Sequence, residues 1–124
     1  MFPPPLHELE TEVMEEVWDQ GECTVREVLE ALNARSAPQR AYTTILTVMQ
    51  RLHAKDLLQR ERDGRRDVYV AALTREQYAQ ARAEAEVGAL VSEYGDVALA
   101  HFARHMSQLD SKRRDQIRRL ARGD

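Results

Sequence analysis

Hydrophobic residues recur at helical spacing in the first third of the chain. The first segment runs from Leu6 to about Trp18. Its apolar positions, which share one face, are Leu6, Leu9, Val13, Met14, Val17 and Trp18. A second segment opens with Thr24 and Glu27, which have the spacing of a capping box. Its apolar positions are Val25, Val28, Leu29 and Leu32. The spacing predicts two amphipathic helices, each with one buried face.

A third segment, residues 41–52, sorts into two unlike faces. The apolar face carries Ile45, Val48, Met49 and Leu52. The opposite face carries Thr43, Thr44, Thr47, Gln50 and Arg51. This second face offers short hydroxyls and long donors with no acid among them, which suits the floor of a DNA major groove. The pattern predicts a recognition helix.

Two short strands are predicted downstream, at residues 57–62 and 68–70, around a turn that contains Gly64, Arg65 and Arg66. A helix followed by a basic hairpin indicates a winged helix-turn-helix domain. We place it at residues 6–73, with its turn at residues 33–40, where Ser36 and Pro38 lie. The three prolines of residues 1–5 predict a disordered leader.

Residues 74–124 begin with a second capping box and continue with helical stripes. The large apolar residues of these stripes are Val87, Leu90, Val91, Tyr94, Leu99, Phe102 and Met106. Short helices on a tail of this size bury their stripes poorly on one another, so they usually need a partner chain. The tail is therefore predicted to be a helical dimerisation domain, and the fold class is mainly α with a small β-hairpin. The alternative is that the tail folds back on its own N-terminal domain.

Charge is segregated along the chain although the net charge is only −3. Residues 7–33 hold nine acids and one cation, whereas residues 35–66 hold eight cations and three acids. A positive field over the third helix and the hairpin is placed where DNA phosphates would lie, and the acidic first helix is expected to point away from them. The alternative is that both runs are ordinary solvated faces.

Candidate DNA contacts follow from the reach of each side chain. Thr43, Thr44 and Thr47 are expected to meet base edges. Gln39, Arg40 and Arg51 are better placed for phosphates. Tyr42 can contact a phosphate or pack under the wing, and Arg65 and Arg66 are expected at the backbone or an adjacent minor groove. The alternative for each residue is an ordinary exposed position.

The composition gives no sign of an enzyme or of a cofactor. The single cysteine, Cys23, excludes an internal disulfide and a cysteine cluster. The four histidines lack a partner for nucleophilic catalysis, and no glycine-rich phosphate loop is present. His101 and His105 could share a helix face and bind a metal, but a pair does not complete a tetrahedral site. We predict no catalytic residue, no metal and no cofactor. With no apolar run that could cross a bilayer and no charged-then-apolar signal sequence, we expect a cytoplasmic protein without membrane insertion.

Four groups of short motifs run through the first two thirds of the chain. They are Leu-Glu-Thr-Glu-Val-Met at 9–14 with Val-Trp at 17–18, Thr-Val-Arg-Glu-Val at 24–28, Ala-Tyr-Thr-Thr-Ile at 41–45 with Thr-Val at 47–48 and Arg-Leu at 51–52, and Tyr-Val at 69–70. With these motifs the chain resembles the penicillinase-repressor (BlaI/MecI/CopY-type) family of bacterial winged-helix repressors. The resemblance implies a homodimer that binds a palindromic operator in double-stranded DNA and represses genes for β-lactamases, penicillin-binding proteins or copper handling. It also implies, in the β-lactam branch, a membrane metalloprotease sensor whose pathway ends in cleavage of the repressor's tail.

Two departures from the family pattern limit what the resemblance implies. The copper-responsive branch ends in a cysteine-rich motif, and no cysteine follows Cys23 here. The β-lactam branch is cut at an Asn-Phe bond, whereas the matching candidate cleavage position here is His101-Phe102. We therefore predict a homodimeric repressor with an unidentified inducing signal. The alternative is a winged-helix adaptor that binds proteins and not DNA.

Overall fold

A computed structural model describes residues 2–35 and 39–123, so the predicted turn with Ser36 and Pro38 lies outside the described residues. Within the described ranges it contains six helices and one antiparallel hairpin. The elements are α1 (Glu8–Gln20), α2 (Val25–Arg35), α3 (Tyr42–Ala54), β1 (Leu58–Asp63), β2 (Arg66–Ala71), α4 (Arg75–Tyr94), α5 (Asp96–Ser107) and α6 (Ser111–Ala121). None of the helices in the described part of the chain has the length and apolar character needed to cross a membrane.

One hydrophobic core joins α1, α2, α3 and the hairpin. Its centre consists of Val13, Met14, Val17, Val28, Ile45, Met49, Leu52, Leu57, Leu58 and Tyr69, all at most 2% exposed. The apolar faces predicted for the three helices are the faces that the structure buries. The helix starts also follow from the sequence: the Thr24 hydroxyl accepts from the Glu27 amide at 3.2 Å, and the Glu27 carboxylate accepts from the Thr24 amide at 2.8 Å.

The hairpin is longer and its turn tighter than the sequence indicated. β1 pairs with β2 from Leu58–Ala71 to Asp63–Arg66, which leaves a two-residue turn of Gly64 and Arg65. Gly64 has φ +66°, a conformation that side chains other than glycine rarely adopt. Arg66 therefore belongs to β2 and not to a five-residue turn. On its other edge β2 is joined to Cys23, whose amide donates to the Tyr69 carbonyl at 3.0 Å.

The chain divides into two compact units, Met1–Ala83 and Glu84–Asp124. The first unit extends ten residues beyond the predicted boundary at residue 73, because the start of α4 is tied to it. The Trp18 indole donates to the Leu73 carbonyl at 2.9 Å, and the Tyr78 hydroxyl donates to the Pro4 carbonyl at 2.8 Å. Arg82 donates to the Pro3 carbonyl at 2.9 Å. The carbonyls of residues 3 and 4 in the leader thus accept hydrogen bonds from α4.

The second unit contains the end of α4 with α5 and α6. The Asp110 carboxylate accepts from the Arg113 amide at 2.8 Å and caps the start of α6. Among the described residues of this unit Ala98 alone is buried. Its large apolar residues that stay exposed are Val87, Leu90, Tyr94, Val97, Leu99 and Leu120. The unit therefore has little core of its own.

Candidate nucleic-acid interface

The face of α3 opposite the core is open. Thr43, Thr44, Thr47, Gln50 and Arg51 are all exposed, because each lies on the side of the helix that the core does not cover. The three threonines and Arg51 line an open groove of about 420 Å³, which is also lined by His7, Leu9 and Glu10 at the start of α1. The structure thus brings the predicted base-contacting residues onto one continuous surface. His7 at its edge was not foreseen.

The start of α3 is held by a side-chain clip from α2. The Asn33 side-chain Nδ2 donates to the Arg40 carbonyl at 3.0 Å, and the Asn33 Oδ1 accepts from the Arg40 backbone amide at 2.8 Å. The Gln39 side chain donates to the Asn33 carbonyl at 2.8 Å. Two residues before α3 are therefore fixed to the end of α2, which sets where the exposed face of α3 begins. Gln39, predicted to contact phosphate, is engaged in this clip.

The sequence predicted that the acids of α1 point away from the basic segment. In the structure, three of them pair with cations of that segment. Glu10 pairs with Lys55 at 2.7 Å, Glu12 lies 3.7 Å from Arg40, and Glu16 pairs with Arg35. Burial alone would raise the pKa of Glu10, but hydrogen bonds from Lys55 and from the His7 amide lower it below its usual range. Three cations counted in the positive field are thus partly neutralised, which leaves the field concentrated on Arg51 and the wing.

The wing presents its arginines to solvent. Arg65 and Arg66 are both exposed, Arg65 in the turn and Arg66 at the first position of β2. Arg66 lies 3.3 Å from Asp63, and Arg62 lies 3.2 Å from Asp67 across the hairpin. Exposed pairs of this kind are weak, so the guanidinium groups remain able to turn toward a phosphate.

A second groove, of about 560 Å³, lies between the start of α2, the start of α3 and the hairpin; we call it the α2–wing groove. It is lined by Thr24, Val25, Arg26, Glu27, Glu30, Tyr42, Leu46, Arg62, Arg65, Arg66, Asp67 and Tyr69. Tyr42 and the two predicted wing arginines are therefore brought to one surface. The guanidinium carbon of Arg26 lies 5.2 Å from the centroid of the Tyr42 ring. In the sequence Arg26 is the lone cation of an acidic segment. Its contact with Tyr42 could not be predicted, because sixteen positions separate the two residues.

The predicted dimer residues of the tail divide by exposure. Val87, Leu90, Tyr94 and Leu99 are between 43% and 56% exposed. Val91, Phe102 and Met106 are half-buried. Phe102 and His101 line a small groove of about 190 Å³ on the second unit, together with Leu90, Tyr94, Val97 and Ala98. Val97 and Leu120, which the sequence analysis did not single out for the interface, are the most exposed of the unit's large apolar residues.

Cys23 has the surroundings of a structural thiol. It is 1% exposed, and burial, followed by the nearby Glu27 and Glu16, raises the pKa of its thiol to about 11. The thiolate that reacts with oxidants or binds metals is therefore suppressed at neutral pH.

The chain is similar in sequence and in fold to known proteins. A family profile described as "Penicillinase repressor" matches residues 6–122. Among curated proteins, "Transcriptional regulator BlaI" of Mycobacterium tuberculosis, from strains CDC 1551 / Oshkosh and H37Rv, is 37% identical over 116 residues, which is 92% of this chain and 80% of the relative.

Two solved structures share the winged-helix fold of the first unit. The Bacillus licheniformis BlaI monomeric form in complex with the blaP half-operator has a TM-score of 0.51. The DNA-binding domain of the repressor BlaI has a TM-score of 0.54. Each is 29% identical and covers 61% of this chain and 90% of its own.

Proposed function

Because this chain belongs to the penicillinase-repressor family of transcriptional repressors, we propose that it binds a palindromic operator as a homodimer and thereby blocks transcription. The observation that carries the proposal is the exposed face of α3. The groove of α3 is lined by Thr43, Thr44 and Thr47 together with Arg51, and the basic wing belongs to the same domain. The similar BlaI of Bacillus licheniformis is a protein whose structure was solved with a half-operator.

DNA recognition is assigned by the length of each side chain. A threonine hydroxyl donates to or accepts from a base edge, while its methyl group packs against a thymine methyl. The short side chain requires α3 to lie deep in the major groove. Arg51, one turn further along, and Arg65 at the wing tip reach the phosphates on either side, which fixes the register of α3 without reading sequence.

The homodimer is proposed from the unburied apolar surface of the second unit. Six large apolar residues of this unit stay exposed, although its helices are well formed. A two-fold interface covers the same patch on both copies, so one stripe provides both sides of the contact. Two domains held together gain affinity for a palindrome through effective concentration.

Release of the operator is proposed to follow loss of this tail contact. His101 and Phe102 lie in the middle of α5, with His101 exposed and Phe102 half-buried. A membrane metalloprotease pathway of the kind that the family resemblance implies would cut this bond. Proteases cut exposed, poorly ordered backbone, so α5 would first have to open locally. Histidine in place of asparagine at residue 101 makes this bond a poor match to that pathway. We therefore propose that induction dissociates the dimer, and the chemical nature of the inducing signal is left open.

A binding selection tests the proposal. Duplexes enriched from a random DNA pool by the full-length chain are expected to contain an inverted repeat, and the chain is expected to bind the enriched duplex more tightly than a scrambled one. The affinity is also expected to fall steeply with salt, because each neutralised phosphate releases counterions. An adaptor that does not bind DNA would enrich no sequence and give no saturable complex, and this result would overturn the proposal.

A further inference from the structure

The α2–wing groove contains an arginine that an aromatic ring holds in place. Arg26 projects from the first turn of α2, and its guanidinium carbon lies 5.2 Å from the centroid of the Tyr42 ring at the start of α3. Both residues are exposed, with Tyr42 at 41%. A guanidinium stacked on a ring keeps its donor edges free and loses less freedom when it binds a planar or tetrahedral anion.

The charge of the groove suits one phosphodiester. Its lining contains four arginines and three carboxylates, so it has one net positive charge. The Asp67 carboxylate is paired with Arg62 at 3.2 Å, and the Glu27 carboxylate accepts from the Thr24 amide at 2.8 Å. The backbone amide of Arg26 is in the first turn of α2, where it has no acceptor within the helix. Donors are thus available at this end of the groove.

A buried hydroxyl in the wall of the groove lacks a partner. Tyr69 lines the groove, its side chain is fully buried, and its hydroxyl makes no hydrogen bond among the described residues. Buried hydroxyls of this kind normally have a partner. Because this hydroxyl has no contact with solvent, it lies beneath the surface of the groove, and the donors that an anion can reach are the exposed ones of Arg26 and the wing.

We propose that the α2–wing groove binds one backbone phosphate of the DNA strand that passes between α2 and the wing, and that Arg26, positioned by Tyr42, is its main ligand. The inference rests on the proposed DNA binding and assigns to it a residue outside α3 and the wing tip. Tyr42 acts here through its ring and not through its hydroxyl.

The test measures affinity against salt for the enriched duplex and for its scrambled counterpart. Arg26→Gln is expected to weaken both complexes about tenfold and to reduce the salt slope by about one, the effect of one lost phosphate contact. Arg26→Lys should retain the slope. The matched control is Arg118→Gln, which removes one exposed charge from α6 and should leave affinity and slope unchanged.

Two tyrosine variants separate the ring from the hydroxyl. Tyr42→Phe keeps the ring and should bind like the wild type, whereas Tyr42→Leu should weaken binding and add little in an Arg26→Gln background, because the two changes remove one contact. A Tyr42→Phe loss equal to that of Tyr42→Leu, or additive losses in the double variant, would overturn the positioning role. Thermal unfolding of each variant checks that the fold is kept.

Inorganic phosphate distinguishes the source of the anion. Free phosphate is expected to show no saturable binding to the groove up to tens of millimolar. A single phosphate binds weakly there, because in DNA the other contacts of the duplex hold the phosphodiester in place. Saturable, Arg26-dependent phosphate binding would overturn the assignment to DNA. An Arg26→Gln protein with wild-type affinity and slope would overturn the inference while leaving the repressor function intact. Failure of the wild type to bind DNA would instead overturn the proposed function, and the inference with it.

Discussion

Thr47 lies in the middle of the exposed face of α3, and its hydroxyl and methyl groups both project from a helix whose other side is buried. Thr47→Ala is expected to reduce discrimination between the enriched and scrambled duplexes by about 1–3 kcal/mol while leaving the salt slope unchanged, because a base contact is lost and no phosphate contact is. Competition binding measures both quantities. Thr11→Ala on α1, another exposed threonine, is the control. A uniform loss on both duplexes would contradict a role in reading sequence.

The Glu10–Lys55 pair makes stability depend on pH. The pKa of Glu10 in the folded chain lies below its ordinary value of 4.5, so its carboxylate stabilises the fold above that value, and this contribution is lost as the pH falls through the folded pKa. Lys55→Met leaves the carboxylate buried with one donor fewer, and it should cost roughly 2 kcal/mol of unfolding free energy at pH 7. The deficit should shrink as the pH is lowered from 7 to 3, because Glu10 takes up a proton as the pH falls toward its folded pKa.

Urea unfolding at the two pH values checks this prediction. Arg62→Met is the control, because its pair with Asp67 is exposed and such pairs contribute about 0–1 kcal/mol. Equal losses for the two variants at pH 7 would show that burial of Glu10 does not strengthen its pair.

Among the elements, α3 shows what a sequence pattern can establish. Its buried and exposed faces were both predicted, because helical phase is fixed by residues three or four apart. The contacts that the pattern missed join distant parts of the chain: Arg26 with Tyr42, Cys23 with Tyr69, and Glu10 with Lys55. A periodicity states which face is buried but not which side chain lies opposite it. The exposed threonines could therefore be predicted, whereas the α2–wing groove could not.

The wing is the element whose effect on binding should be uniform across sequences. Arg65→Ala combined with Arg66→Ala is expected to weaken the enriched and scrambled duplexes by similar factors and to reduce the salt slope by about two, since two cations near the backbone are removed. The matched control is Arg118→Ala with Arg119→Ala on α6, which removes the same charge from the second unit. Retention of affinity and slope in a gel-shift titration at several salt concentrations would show that the wing does not contact DNA.

At the scale of the whole molecule, the boundary between the units decides where the chain can be cut. A truncation after residue 73 removes Tyr78 and Arg82, which hold the leader, and Arg75, which stacks 5.5 Å from the Trp18 ring. Truncation after Ala83 keeps these contacts. We expect the chain ending at Ala83 to be folded and monomeric. It should bind a palindrome far more weakly than the full chain, because the two DNA-binding units are no longer linked.

Sedimentation and thermal unfolding of the two truncated chains check this expectation. The chain ending at residue 73 should unfold at a lower temperature than the chain ending at Ala83, and both should sediment as monomers. A dimeric chain ending at Ala83 would contradict the proposed division between a DNA-binding unit and a dimerisation unit.

Substitution of Phe102 is expected to dissociate the proposed dimer. Phe102 is half-buried in the second unit beside Leu90 and Tyr94, whose exposed surfaces a second copy would cover. Phe102→Asp replaces an apolar anchor worth roughly 1.5–3 kcal/mol per side chain, and a symmetric dimer loses it twice. The variant should be monomeric at micromolar concentration and should derepress a reporter gene without any inducer. Ala100→Asp introduces the same charge at an exposed position of α5 and should stay dimeric. If Phe102→Asp sedimented as a dimer and bound the enriched duplex with wild-type affinity, then Phe102 would not be the anchor of the proposed dimer.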